Sequence, residues 1–209
     1  MNEIQKVKHQ FLNRFKDEEL DDKLCYFQDN FESWVYDLPD GIAPIILQMV
    51  CNFDYYRIKD TDEKLISFHY RLNNEYKIND EEVLHTYIKK GEGKICSSFD
   101  YLAKYRVVNR INKGYCRDDI EAIPDEVWEN VRYIIVVDDC CGTGGSLEKF
   151  ILNTGKDFSG KRLFYMVIHM LEMSTKKIQE LEQKYNMEIT VLYGNLKGKA
   201  FSHSPLNMV

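Results

Sequence analysis

Apolar positions recur at two different periods along this chain. From Glu3 to Phe15, Ile4, Val7, Phe11 and Phe15 fall at spacings of three and four, which lines them on one face of a helix. After the turn signal Leu38-Pro39-Asp40-Gly41, the apolar-rich stretch from Ile42 to Tyr56 is too long for an ordinary strand and predicts a buried helix. Thr61-Asp62-Glu63-Lys64 offers caps for the next helix, in which Leu65, Phe68 and Leu72 align. Asn79-Asp80-Glu81-Glu82 does the same before Val83, Leu84, Tyr87 and Ile88. Residues 1–90 therefore read as an N-terminal helical region, without internal repeat or catalytic motif.

The pattern changes at Gly91-Glu92-Gly93. Lys94-Ile95-Cys96 predicts a short strand ending in Ser97-Ser98, after which Phe99, Leu102, Tyr105, Val108 and Ile111 mark a helix to about Asn112. Lys113 to Asn130 is polar, with a loop at Ile123-Pro124-Asp125 and a short helix around Val127 and Trp128. Tyr133-Ile134-Ile135-Val136-Val137 is the clearest strand, a continuous β-branched run of the kind buried in the middle of a parallel sheet. Leu163 to His169 and Ile189 to Tyr193 are further strands, separated by a helical pattern from Ser174 to Tyr185. This alternation predicts an α/β fold, a doubly wound, mainly parallel sheet in residues 91–209.

Composition narrows the function classes. Lys plus Arg number 28 against 34 Asp plus Glu, a net charge of −6. Nucleic acid or anionic lipid then meets no global positive field, and a bound anion needs a local site. No window approaches the ~18 consecutive apolar residues of a membrane span, and the polar start Met1-Asn2-Glu3-Ile4-Gln5-Lys6 lacks the apolar core of a signal peptide, so a cytoplasmic address is expected. Six scattered cysteines without a C-x-x-C pair suggest neither a zinc site nor a disulfide framework, and reduced thiols are expected.

The chemistry concentrates in one segment. The strand from Tyr133 delivers Asp138 and Asp139 to its carboxyl end, and Cys140-Cys141-Gly142-Thr143-Gly144-Gly145-Ser146 then leads into a helix from Leu147 to Leu152. Ligands of open α/β sheets bind at such strand ends. Glycines let backbone N–H groups turn toward a phosphate, and the helix start adds more N–H groups and partial positive charge. Two carboxylates suit the vicinal hydroxyls of a ribose, or lie near a magnesium ion. Helix capping alone would need neither two acids nor three glycines. No Lys-Ser/Thr pair closes the loop as in a P-loop, and the third glycine of a dinucleotide fingerprint is missing.

This strand, acidic pair and G-T-G-G-S loop resemble the phosphoribosyl-pyrophosphate signature of type I phosphoribosyltransferases. A wider pattern resembles a divergent bacterial branch of phosphoribosyltransferase-like proteins associated with phage-defence systems, including retrons. That pattern comprises Phe31-Glu32-Ser33-Trp34 through Ile45 to Tyr56, Ser97-Ser98 with its helix, Ile123-Pro124, and Ala200-Phe201-Ser202 before Ser204-Pro205. The resemblance implies that Asp138 and Asp139 hold the ribose hydroxyls, that Gly142, Thr143, Gly144, Gly145 and Ser146 wrap the 5-phosphate, and that Ser97 and Ser98 occupy the pyrophosphate loop. It also implies phosphoribosyl pyrophosphate with Mg2+ as ligand, a nucleotide-like small molecule as partner, and a protein or nucleic-acid partner in a defence complex. A homo-oligomer is a further expectation. Lys94, Arg106, Arg110, Lys113 and Arg117 form the nearest basic cluster to the pyrophosphate position.

Active members of the resembled family carry a mobile hood on a strand pair between the pyrophosphate loop and the signature strand. Here that interval is polar and predicts no hairpin. A ligand-regulated interaction subunit without catalysis is therefore one alternative. An S-adenosylmethionine-dependent methyltransferase is another, since V-V-D-D-C-C-G-T-G-G-S-L is similar to the first motif of that class. With 64 residues after Gly145 and a lone late proline, Pro205, the expected remainder of a methyltransferase site does not follow. Cys140 and Cys141 read as small packed side chains, His169 as a strand-end histidine, and His203 as part of a surface loop.

Overall fold

The computed structural model describes residues 1–16, 19–39, 41–89 and 96–198. The chain forms two compact units, Met1–Arg57 and Ile58–Val209. The first consists of helices α1 (Glu3–Leu12), α2 (Asp22–Tyr36) and α3 (Ile42–Asn52). Asn2 and Gln5 form a reciprocal capping box at the start of α1, and Asp21 caps α2 by accepting from the Leu24 N–H at 2.9 Å. Val7, Phe31, Val35 and Leu47 make one buried cluster, and Phe11, Phe15 and Leu24 another. Phe11 packs on Phe15 and Phe27 with ring centroids 5.7 and 4.7 Å apart.

The second unit runs α4 (Ile58–Asn74), β1 (Val83–Tyr87), α5 (Ser97–Val108), α6 (Asp125–Asn130), β2 (Tyr133–Cys141), α7 (Gly145–Asn153), β3 (Arg162–Leu171), α8 (Ser174–Tyr185) and β4 (Glu188–Lys197). Its four strands lie in the order β1-β2-β3-β4, all parallel, with Val136 in register with Thr86 and Tyr165. Strand side chains alternate between faces. Leu84, Ile134, Val136, Leu163, Tyr165 and Ile189 face α6, α7 and α8, packing with Trp128, Leu147, Phe150, Ile178 and Leu181. The other face, carrying His85, Ile135, Val137, Phe164 and Met166, is covered by α4 and α5 through residues such as Leu65, Phe68 and Tyr105. The fold is thus the expected α/β architecture, with a parallel sheet between helices and an N-terminal helical region.

Four local expectations change, the first being that the buried helix predicted from Ile42 to Tyr56 ends at Asn52 and has Leu47 as its one buried residue. Val83–Tyr87 is a strand rather than a helix, and its first four residues are buried. A short apolar run enclosed on both faces loses the alternation that distinguishes strand from helix. Helix α4 begins at Ile58, so Thr61 lies buried inside it instead of capping it. The strands predicted from Tyr133, Leu163 and Ile189 are each longer than expected, β2 extending through the acidic pair to Cys141. Lys94, Ile95, His203 and the segment from Ala200 to Pro205, invoked above, lie outside the described residues. Among the described residues, no helix is long and apolar enough to cross a membrane.

Candidate functional site at the carboxyl end of β2

The end of β2 and the first turn of α5 meet at the carboxyl end of the sheet, where the loop into α7 begins. Gly144 precedes α7 with φ +78°, a left-handed conformation that strains any side chain. A Cβ there would also come within 3.0 Å of the Lys177 side chain. Beyond Gly144, the first turn of α7 presents N–H groups with no acceptor inside the helix. Thr143 and Ser146 are exposed beside them, and Gly142 and Gly145 are half-buried. The predicted phosphate loop therefore has open hydroxyls and a helix N-terminus aimed past a tight turn.

The acidic pair differs in burial. Asp139 is half-buried with its side chain against that of Asp138, whereas Asp138 is only 4% exposed. The Asp138 carboxylate accepts from the Ser98 hydroxyl at 2.5 Å and the Asp139 backbone N–H at 2.9 Å on one oxygen, and from the Tyr165 hydroxyl at 2.9 Å on the other. Burial pushes its pKa up to about 6; the adjacent Asp139 pushes the same way, while the Ser98 and Tyr165 hydroxyls pull against it. Burial likewise pushes the Tyr165 hydroxyl far above the ordinary tyrosine range, with Asp138 adding to the effect.

The two serines split in the same manner. Ser98 is wholly buried and directed at Asp138, and Ser97, the first residue of α5, is half-buried at the edge of the site. One turn later, half-buried Tyr101 stands beside the acidic pair. Burial raises its pKa first, Asp139 raises it further, and a hydrogen bond with Thr61 opposes both. Sequence reasoning did not single out Tyr101 or Tyr165. The four-residue step from Ser97 to Tyr101 was a usable helical signal, whereas the role of Tyr165 depends on strand register, which local sequence does not encode.

Of the basic residues nearest to this site in sequence, the described Arg106 and Arg117 both lie near Cys116. Arg106 sits nine residues along α5 from Ser97, about 14 Å at the rise of a helix. The Arg117 guanidinium donates to the Gly114 and Cys116 carbonyls of its own loop. His169 is half-buried near the end of β3, in register with Cys140 on β2 and Asn195 on β4. Cys140 is exposed and Cys141 buried, each thiol raised in pKa by burial first, so neither is an activated thiolate.

Among the described residues, no group of three or more His, Cys, Asp or Glu side chains is placed to hold a metal ion. Magnesium needs no such cage, because it commonly binds through one or two carboxylates plus substrate phosphates and water. Asp139 is a suitable carboxylate for that arrangement, and Asp138, buried and already engaged by three donors, is not.

Compared with known proteins, the chain matches the family model described as PRTase-CE over residues 8–206. No curated protein matches it, and no solved structure does.

Proposed function

This chain belongs to the PRTase-CE family and is phosphoribosyltransferase-like, and from that premise we propose that it binds a 5-phosphoribosyl compound, phosphoribosyl pyrophosphate with Mg2+, at the carboxyl end of β2. The observation that carries the proposal is the conjunction of a partly exposed carboxylate, Asp139, with a glycine turn and the N-terminus of α7 on the same strand end. The 5-phosphate meets the α7 N–H groups with Thr143 and Ser146, while the ribose hydroxyls donate to Asp139. Ser97 and the N-terminus of α5 face the anomeric side, where a pyrophosphate leaves. Magnesium, when bound, neutralises charge on that leaving group. Transfer through an oxocarbenium-like centre asks little acid–base work of the chain, so positioning and fixed dipoles carry the chemistry.

Titration calorimetry with phosphoribosyl pyrophosphate and Mg2+ tests the reading. Saturable binding that Asp139→Asn weakens at least tenfold is expected; no binding by the native chain sinks it. A binding-only role has its own support, since the described residues between α5 and β2 include no strand pair to close over the site. In that case the ligand binds without pyrophosphate release. The sequence resemblance also supports a role in phage defence, which plaque counts on cells carrying the native chain or Asp139→Asn would test.

A further inference from the structure

We infer that Asp138 and Ser98 form a buried lock that positions the first turn of α5 against the end of β2, leaving Asp139 and Ser97 as the ligand-facing members of the two pairs. The inference rests on the proposed ligand site for its functional consequence, but the lock is visible without a ligand. Ser98 is fully buried, Asp138 is 4% exposed, and their 2.5 Å contact joins residues forty apart in the chain. That distance suits a hydroxyl donating to a carboxylate.

The lock is anchored from a third element. Tyr165, itself fully buried on β3, donates to the other Asp138 oxygen, and the Asp139 N–H donates to the same oxygen as Ser98. Both Asp138 oxygens are thus engaged inside the protein. Likewise, a Ser98 proton given to Asp138 is not available to a pyrophosphate oxygen. Anions at the start of α5 are left with backbone N–H groups and the Ser97 hydroxyl. Asp138 is consequently a positioning residue: it fixes the spacing between the two helix N-termini that flank the proposed ligand.

Ligand pairs separate this role from direct ribose binding. Phosphoribosyl pyrophosphate and ribose 5-phosphate share the diol and the 5-phosphate, and only the former carries the pyrophosphate that meets α5. Ser98→Ala and Asp138→Ala are each expected to weaken phosphoribosyl pyrophosphate about tenfold while changing ribose 5-phosphate less than about threefold. The double variant should be no worse than Asp138→Ala alone, because that change already removes the Ser98 contact. Asp138→Asn, which keeps an acceptor for Ser98, should recover most of the loss, whereas Asp139→Asn should weaken both ligands alike. If Asp138→Asn weakens both ligands as Asp139→Asn does, or if the single effects multiply, the lock is refuted.

Hydrogen exchange on the unliganded full chain provides an independent arm. Ser98→Ala should speed exchange of amides in the first turn of α5, and Asp139→Asn should not. Absence of that acceleration overturns the lock even if ligand binds. Should the native chain bind neither sugar phosphate, the ligand reading fails while this arm still decides the lock.

Discussion

Replacing Asp138 by Asn should make the second unit more stable at neutral pH and change little in acid. The carboxylate is buried and its pKa is raised from the usual 3.8 to about 6. A folded-state pKa above the unfolded one means that the protonated acid favours the fold. That contribution is fully present below pH 3.8 and is lost as the pH climbs through about 6. At 1.36 kcal/mol per pH unit, the rise corresponds to a cost of about 3 kcal/mol once Asp138 is ionised. Asn resembles the protonated acid in shape, accepts from Ser98, and offers its amide to the Tyr165 oxygen. The native and Asp138→Asn chains should therefore unfold alike near pH 4 and differ by ~3 kcal/mol at about pH 7.5, or roughly 6–12 °C in melting temperature for a unit of this size. Urea unfolding from about pH 4 to 7.5, followed through buried Trp128 in a Trp34→Phe background, measures the difference while other titrating groups cancel between the two chains. A stability difference that stays constant across that range would refute the account of Asp138.

Other buried polar groups give shorter tests. His85 is fully buried, neither ring nitrogen has a hydrogen-bond partner, and burial, with the nearby His69, holds its pKa down at about 3. Its folded-state value lies below the unfolded one, so stability is complete above pH 6.5 and falls as the pH drops. His85→Phe should remove a loss of about 2 kcal/mol at pH 5, read as a flatter acid limb in thermal melts. Gly144→Ala should cost about 1–2 kcal/mol through its left-handed backbone alone, and crowding against Lys177 should shift the loop enough to weaken sugar-phosphate binding in calorimetry. The Lys161 ammonium donates to the Trp128 and Val131 carbonyls at 2.8 and 2.7 Å and lies 5.0 Å from the Trp128 ring centre. Lys161→Met should lower stability by about 2–4 kcal/mol in urea unfolding, because two charge-assisted bonds disappear and their carbonyls remain.

What was legible in the sequence follows from the range of each signal. β2 and its loop were readable because five β-branched or aromatic residues, two acids and three glycines crowd into one short stretch. β1 was not, since a five-residue strand with four residues buried at the sheet edge looks the same at either period. Proximity in sequence is not proximity in space: Arg106 and Ser97 share a helix, and the length of that helix keeps them apart.

The division within the acidic pair is more instructive, because its cause is local. Neighbouring residues on a strand point to opposite faces, and neighbours at the start of a helix diverge by about 100°. Two consecutive acids at the end of β2 and two consecutive serines opening α5 each divide into a buried member, Asp138 and Ser98, and a half-buried one, Asp139 and Ser97. Local sequence does not say which member turns inward. That is decided by the strand register placing Tyr165 beside Val136, and by the approach of α5 that brings Ser98 onto Asp138. A doubled polar motif in a packed α/β edge is better read as one ligand group plus one structural partner than as two equivalent ligands.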